Sequence, residues 1–208
     1  MNRRSLKWVG FGLLAPLAVF ATLGAEIRSS QVVTVDQRIL EWLHGYATPA
    51  LDSVMLFISG VGGAQALLVL LAALLLGLLW LRRWRDAAFA LLAFGGAEVT
   101  NLLLKALFAR ARPHLWPALS VETSYGFPSG HATGSVALAA IVAVLLWETR
   151  WRIPALLIGM LFACLVSLSR LYLGVHYPSD VIAGAAMSLA WVTLLMLTLR
   201  RELFAARA

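Results

Sequence analysis

Long apolar runs separated by short polar breaks make up most of this chain. Runs of seventeen or more mostly apolar residues fall at Trp8 to Ala25, Ala64 to Leu81, Ala87 to Phe108, Gly130 to Trp147, Pro154 to Tyr172 and Val181 to Leu199. An α-helix needs about 20 residues to cross the hydrocarbon layer, so each run matches one span. The pattern predicts an all-α integral membrane protein with six transmembrane helices. With no internal repeat, low-complexity segment or dividing linker, residues 1–208 read as a single domain. The first run follows Arg3, Arg4 and Lys7 but is longer than the apolar core of a signal peptide and lacks a small-x-small cleavage site, so it reads as an uncleaved helix.

The connection from about Glu26 to Gly63 is too long for a simple turn. Within it, Ile39, Leu40 and Leu43 alternate with Asp36, Arg38 and Glu41 at helical spacing, and Leu51 to Ile58 is apolar again. This predicts short interfacial helices, serving either to cover the bundle or to admit substrate.

Composition agrees with the pattern. The chain is 61% hydrophobic and 13% charged, with a mean hydropathy of +0.84, which excludes a soluble enzyme and a disordered chain. Its net charge of +7 is spread in clusters between apolar runs instead of along one face, so nucleic acid is not an expected partner. Eleven of the seventeen basic residues lie at the N-terminus (Arg3, Arg4, Lys7), in two connections (Arg82, Arg83, Arg85; Arg150, Arg152) and in the C-terminal tail (Arg200, Arg201, Arg207). By the positive-inside rule these segments are cytoplasmic, and with them both termini. Cys164 is the single cysteine and lies in an apolar run, so neither an intrachain disulfide nor a cysteine metal site is expected.

On the opposite side Lys105, Arg110, Arg112 and Arg170 crowd around two helix ends. Glu98, Asn101 and Lys105 share one stripe of their helix, with Arg112 beyond its end, because spacings of three, four and seven residues stay on one face. Ionisable groups inside a span mark function or tie helices together. For Glu98 and Asn101 both readings stay open. For Lys105 and Arg112, no neighbouring carboxylate in the sequence neutralises both, which points to an anionic ligand.

Pro128, Ser129, Gly130 and His131 stand directly before the next apolar run. Pro128 and Ser129 are helix-start residues, so the N–H groups of Ser129, Gly130 and His131 are expected free at a helix N-terminus, an anion site that Gly130 lets a ligand approach closely. Further on, Ser169 and Arg170 precede His176, and Pro178 bars Tyr177 from helical geometry. Asp180 then falls in the first turn of the last helix and can reach back to one His176 nitrogen, leaving the other free as a nucleophile. A metal site is the poorer reading, since no histidine pair has ligand spacing and nearby cations would repel one. Three cations, a helix N-terminus and two histidines fit phosphoryl transfer without a cofactor or metal.

These residues resemble the type-2 phosphatidic acid phosphatase superfamily, which includes membrane lipid phosphatases, glucose-6-phosphatase and vanadium haloperoxidases. Its motifs Lys-x6-Arg-Pro, Pro-Ser-Gly-His and Ser-Arg-x5-His-x3-Asp read here as Lys105, Arg112 and Pro113; Pro128 to His131; and Ser169, Arg170, His176 and Asp180. The resemblance implies that His176 attacks phosphorus, Asp180 orients it and His131 protonates the leaving oxygen. Lys105, Arg112, Arg170, Ser129 and the Gly130 N–H would hold the phosphoryl oxygens, with Glu98, Asn101 and Ser169 as candidate support.

The implied function is a lipid phosphate phosphatase of the bacterial cytoplasmic membrane, working on its external face. Undecaprenyl diphosphate is the preferred substrate, with phosphatidylglycerophosphate, phosphatidic acid or transfer to another acceptor as alternatives. Trp116 and Tyr125 are expected at headgroup depth. The bilayer and a phosphorylated lipid are the expected partners, with no obligate protein partner. A soluble haloperoxidase is disfavoured by the spans, and a non-enzymatic binder or transporter by the lack of paired broken helices or an inverted repeat.

Overall fold

Apolar runs without interior breakers satisfy their own backbone groups as helices, and capping signals set the ends. A computed structural model describes residues 6–28 and 33–199. It contains α1 (Trp8–Arg28, π-helical over Trp8–Leu14), α2 (Val33–His44), α3 (Pro49–Val61), α4 (Ala64–Trp80), α5 (Trp84–Phe108), α6 (Gly130–Leu145), α7 (Arg152–Tyr172) and α8 (Pro178–Thr198). Thr48 caps α3 by accepting the Leu51 N–H at 3.3 Å, ahead of Pro49 in the first turn. Ala109, left-handed at φ 43°, ends α5 and starts the irregular segment 109–129.

Every apolar run forms a helix, but they are not equal as spans. Among the described residues α1, α5, α7 and α8 are each long and apolar enough to cross a membrane. α3 and α4 reach that length only together, bent by 46°, and α6 has 16 residues. The short α6 is also the most enclosed, packed against α5, α7 and α8. Its neighbours, and not lipid, cover most of it. Of the basic residues used to orient the chain, Arg3, Arg4, Arg200, Arg201 and Arg207 lie outside the described residues.

The core joins Leu67, Leu71 and Leu78 of α4 to Phe89, Ala90, Ala93, Phe94 and Ala97 of α5, Ala137 and Ile141 of α6, and Val192 and Met196 of α8. Small residues on α5 allow helices to approach closely, which matters where apolar side chains gain little by leaving apolar lipid. Outward, Leu68, Leu103, Leu107, Ile158 and Leu161 are each more than half exposed. An apolar girdle of this kind belongs in hydrocarbon.

The two helices of the first connection do more than line an interface. α2 packs against α7 and α8, and α3 against α7. Leu40 is fully buried, as its apolar position requires, but so is Asp36, which the amphipathic pattern assigns to the polar side. The Asp36 carboxylate is buried because it binds Ser179 and Arg110, described below.

α6 and α8 meet at Gly184. A Cβ there would lie 2.6 Å from the Ser129 carbonyl oxygen and 3.0 Å from Thr133 Oγ1, so only glycine admits the Pro-Ser-Gly-His turn so close to α8. Gly184→Ala is expected to cost about 1–3 kcal/mol through overpacking. The check is a lower Tm in detergent than wild type, against Gly77→Ala, whose new methyl meets open space and which keeps or raises the Tm.

Candidate active site

Helix ends supply the site because a bundle's polar groups are cheapest there and its backbone N–H groups are free there. The C-terminal end of α5 brings Lys105, the start of α6 brings Gly130 and His131, and the end of α7 with its connection to α8 brings Arg170 and His176. Segment 109–129 closes over them with Arg112, Glu122 and Ser124. The result is a cavity of about 360 Å³. Lys105, Arg112, Glu122, His131 and His176 line its polar part, and Leu67, Leu68 and Phe94 its apolar part, with Glu98 also on the wall. A volume of this size holds a phosphorylated headgroup with the start of a hydrocarbon tail.

His176 is 1% exposed and Asp180 fully buried. Pro178 opens α8 with Tyr177 extended before it, as the sequence predicts, and Asp180 sits in the first turn. Asp180 Oδ2 accepts the Tyr177 N–H at 2.9 Å and faces His176 Nδ1 at 3.4 Å, within ion-pair range but not aligned as a hydrogen bond. On the other side of the ring, Arg112 Nη1 lies 2.9 Å from Nε2. A guanidinium can only donate, so Nε2 carries the lone pair and the proton sits on Nδ1, toward the carboxylate. Burial pushes the His176 imidazole down to about 4, with Arg112 and Arg170 adding to the shift and Asp180 opposing it. The ring is therefore neutral at physiological pH, with its nucleophilic nitrogen held toward a cation.

Each cation is tied in place. Lys105 Nζ donates to the Tyr125 carbonyl, and Arg112 donates to the Ser124 carbonyl at 2.8 Å and the Val175 carbonyl at 2.9 Å. Arg170, 1% exposed, donates to the Ser59 hydroxyl of α3 and to Glu122. Glu122 also stands 3.4 Å from Arg112. Burial works to raise the Glu122 carboxyl, but Arg170 and Arg112 overcome it and hold it below the ordinary carboxylate range.

Glu122 corrects the sequence reading. The carboxylate thought to be missing is present ten residues beyond Arg112, and it bridges Arg112 and Arg170 where an anionic ligand was expected. Its position in an irregular segment leaves no periodic signal; an acidic residue between two cationic motifs is the one hint.

The remaining candidates divide. Ser129 is fully buried, its hydroxyl caps α6 by accepting the Ala132 N–H, and its own N–H donates to the Asp180 carbonyl at 3.0 Å, so that N–H is not free for a ligand. Asn101 donates to the Pro128 carbonyl at 3.3 Å and Thr133 Oγ1 at 3.0 Å, tying α5 to the turn before α6. Ser169 is buried and donates to Val166 O one turn back. Of the stripe on α5, Glu98 and Lys105 line the cavity while Asn101 supports its rim. Trp116 stacks on His44 at 4.0 Å and closes over Gly174, whose φ of +65° and lack of Cβ permit the contact.

Apolar helices whose ends gather cations and two histidines around one cavity fit a membrane protein that handles phosphoryl groups. The sequence profile of the PAP2 superfamily matches residues 86–203, more than half of the chain and all of the site's motifs. The chain belongs to this superfamily. It is 31% identical to phosphatidylglycerophosphatase B of Bacillus subtilis over 175 residues, 82% of this chain and 86% of that one. It is 29% identical to an undecaprenyl-diphosphatase of Sulfolobus acidocaldarius over 199 residues, 93% of this chain and 90% of that one. The crystal structure of a transmembrane PAP2-type phosphatidylglycerolphosphate phosphatase from Bacillus subtilis superposes with a TM-score of 0.81 at 29% identity, covering 89% of this chain and 96% of that one. The protein is a phosphatase of membrane lipid phosphates, which removes the binder and transporter alternatives.

The state of His176 gives a pH dependence. Attack by this ring would require an unprotonated Nε2, so kcat/KM is expected to rise with pH through about 4 and to show no further dependence on this group up to neutrality. A profile measured in detergent between pH 3.5 and 8 checks this; an acid limb centred near 6.5, absent from His176 variants as they lose turnover, would contradict the burial.

Proposed function

We propose that this protein hydrolyses the phosphate or diphosphate headgroup of a membrane lipid through a phosphohistidine. The observation that carries the reading is the Asp180–His176–Arg112 row, in which the nucleophilic Nε2 already faces the cation that would hold a phosphoryl oxygen. As substrate enters, its phosphoryl oxygens take the place of the Glu122 carboxylate on Arg112 and Arg170, and Arg112 turns its N–H from Nε2 to the phosphate. The Nε2 lone pair then attacks phosphorus in line with the departing oxygen, which takes the P–O bond electrons and, through His131, a proton brought in by the substrate's phosphate. Lys105, Arg112, Arg170 and the Gly130 N–H carry the equatorial charge. Water, losing its proton to His131, cleaves the P–N bond, and the released phosphate carries that proton away and restores the enzyme. Charge stabilisation from these three cations gives metal no required role.

The site is assigned to the external membrane face, with six spans and cytoplasmic termini. Supporting this, Arg82, Arg83, Arg85, Arg150 and Arg152 lie at the helix ends away from the site. Undecaprenyl diphosphate is put first as substrate, in keeping with the relative that spans 93% of the chain. Phosphatidylglycerophosphate or phosphatidic acid is the second reading, favoured by the 31% identical phosphatidylglycerophosphatase B.

Phosphate release by purified protein in excess EDTA tests the mechanism. Release from undecaprenyl diphosphate, phosphatidylglycerophosphate and phosphatidic acid should survive chelation and fall by at least about 10³-fold in His176→Ala. Loss of activity with EDTA, regained on adding a divalent metal, would reject the metal-free route. The ratio of kcat/KM values ranks the lipids. For the wall residue Glu98, Glu98→Gln is expected to keep the Tm and lose turnover; an unchanged rate with a lowered Tm would make it a structural tie.

A further inference from the structure

Behind His176 lies a second row of charges that the family motifs do not include. Arg110, two residues before Arg112, donates through Nη1 to Asp180 Oδ1 and, at 2.7 Å, to the Ser179 hydroxyl. Its Nη2 donates to Asp36 Oδ2 at 2.9 Å, and its guanidinium lies 4.4 Å from the Tyr177 ring centroid. Asp36, on α2, accepts the Ser179 N–H at 3.0 Å and the Ser179 hydroxyl. The row Asp36–Arg110–Asp180–His176 thus runs from the first connection to the reacting ring.

Its charge arithmetic is informative. Arg110 alone would cancel Asp180 and leave the imidazole facing no net anion. Asp36 restores one negative charge to the group. Asp36 and Asp180 are at most 2% exposed and the Arg110 side chain 9%, so water screens these charges weakly. Capping the start of α8 needs only an acceptor for the Ser179 N–H; it does not require a carboxylate that also holds Arg110.

We propose that Arg110 and Asp36 are positioning residues for the reaction, which act through Asp180 to fix the orientation and the net charge presented to the Nδ1 side of His176. This rests on the reading of His176 as nucleophile. The other charged and titratable groups facing the ring or its cavity are Arg112, Glu122, Arg170 of α7, His131 of α6, and Lys105 and Glu98 of α5, and all are left intact by changes at Asp36 and Arg110.

The test is a ¹⁵N-histidine NMR titration of the full chain in detergent, with the His176 signal assigned by its loss in His176→Asn, alongside phosphate release. Asp36→Asn keeps the shape and the acceptor for Ser179 but removes a negative charge. The His176 midpoint should fall by about 0.5–1 pH unit, and kcat several-fold with KM within about twofold. Arg110→Gln removes the cation and should move the midpoint up by a similar amount. Asp36→Glu restores the charge and should return the midpoint toward wild type.

Opposed shifts, with Tm values near wild type, support the row. Shifts of one sign in both variants, or unmoved midpoints with activity falling only as Tm falls, overturn it. Should Arg110→Gln fail to fold, the Asp36 pair alone decides, by whether the midpoint follows the charge. Because the titration needs no turnover, absence of phosphate release in wild type would overturn the hydrolase reading while leaving this one to be judged by the midpoints.

Discussion

A buried guanidinium without a partner is strongly destabilising, and this structure is arranged around that constraint. Arg170 is all but inaccessible at the end of α7, and it stays charged because Ser59 and Glu122 meet it there. Arg112 and Lys105 are held by carbonyls of segment 109–129 and of the connection before α8. That segment has no helix of its own, and its path is governed by what it must neutralise. The same arrangement gathers the cations at one cavity, so that a phosphoryl group arriving there would change their partners and not their places.

Satisfying the charges in the absence of substrate has a consequence for binding. Glu122 occupies the two arginines, so an incoming phosphate exchanges one anion for another without uncovering bare cations. A phosphate monoester brings roughly half to one unit more negative charge than the carboxylate it would replace. Selectivity then depends on what the phosphate offers beyond a carboxylate: more oxygens, in-line reach to Nε2, and an ester or anhydride oxygen near His131. The apolar flank of Leu67, Leu68 and Phe94 adds a place for the tail next to the reacting group.

The helices were legible because apolar period and length leave the backbone few other ways to satisfy itself in lipid. Their use as spans was less so. The pattern treats Gly130 to Trp147 like the other runs, whereas α6 is 16 residues long and enclosed by its neighbours, and α4 reaches spanning length only with the bent α3 before it. In the site, Lys105, Arg112, Arg170, His131, His176 and Asp180 were legible from spacing and residue type. Ser129 was read as an open donor, but its N–H is closed by the Asp180 carbonyl, a contact made across two helices. Asn101 is bonded to the turn before α6 and to Thr133, contacts that a single-helix stripe does not reveal.

The sequence by itself determined the solvent, the helical class, the family and the motif residues that gather at the cavity, because each depends on residue type and short-range spacing. Tertiary structure alone decided which charges face one another. Asp36 and Arg110 are separated by more than seventy residues, as are Arg170 and Ser59 by more than one hundred, and each pair is buried. A polar residue in a connection reads as solvated until the fold removes the water around it. Once it does, desolvation forces the residue to find a partner, and the partner is set by which helix ends the packing brings together.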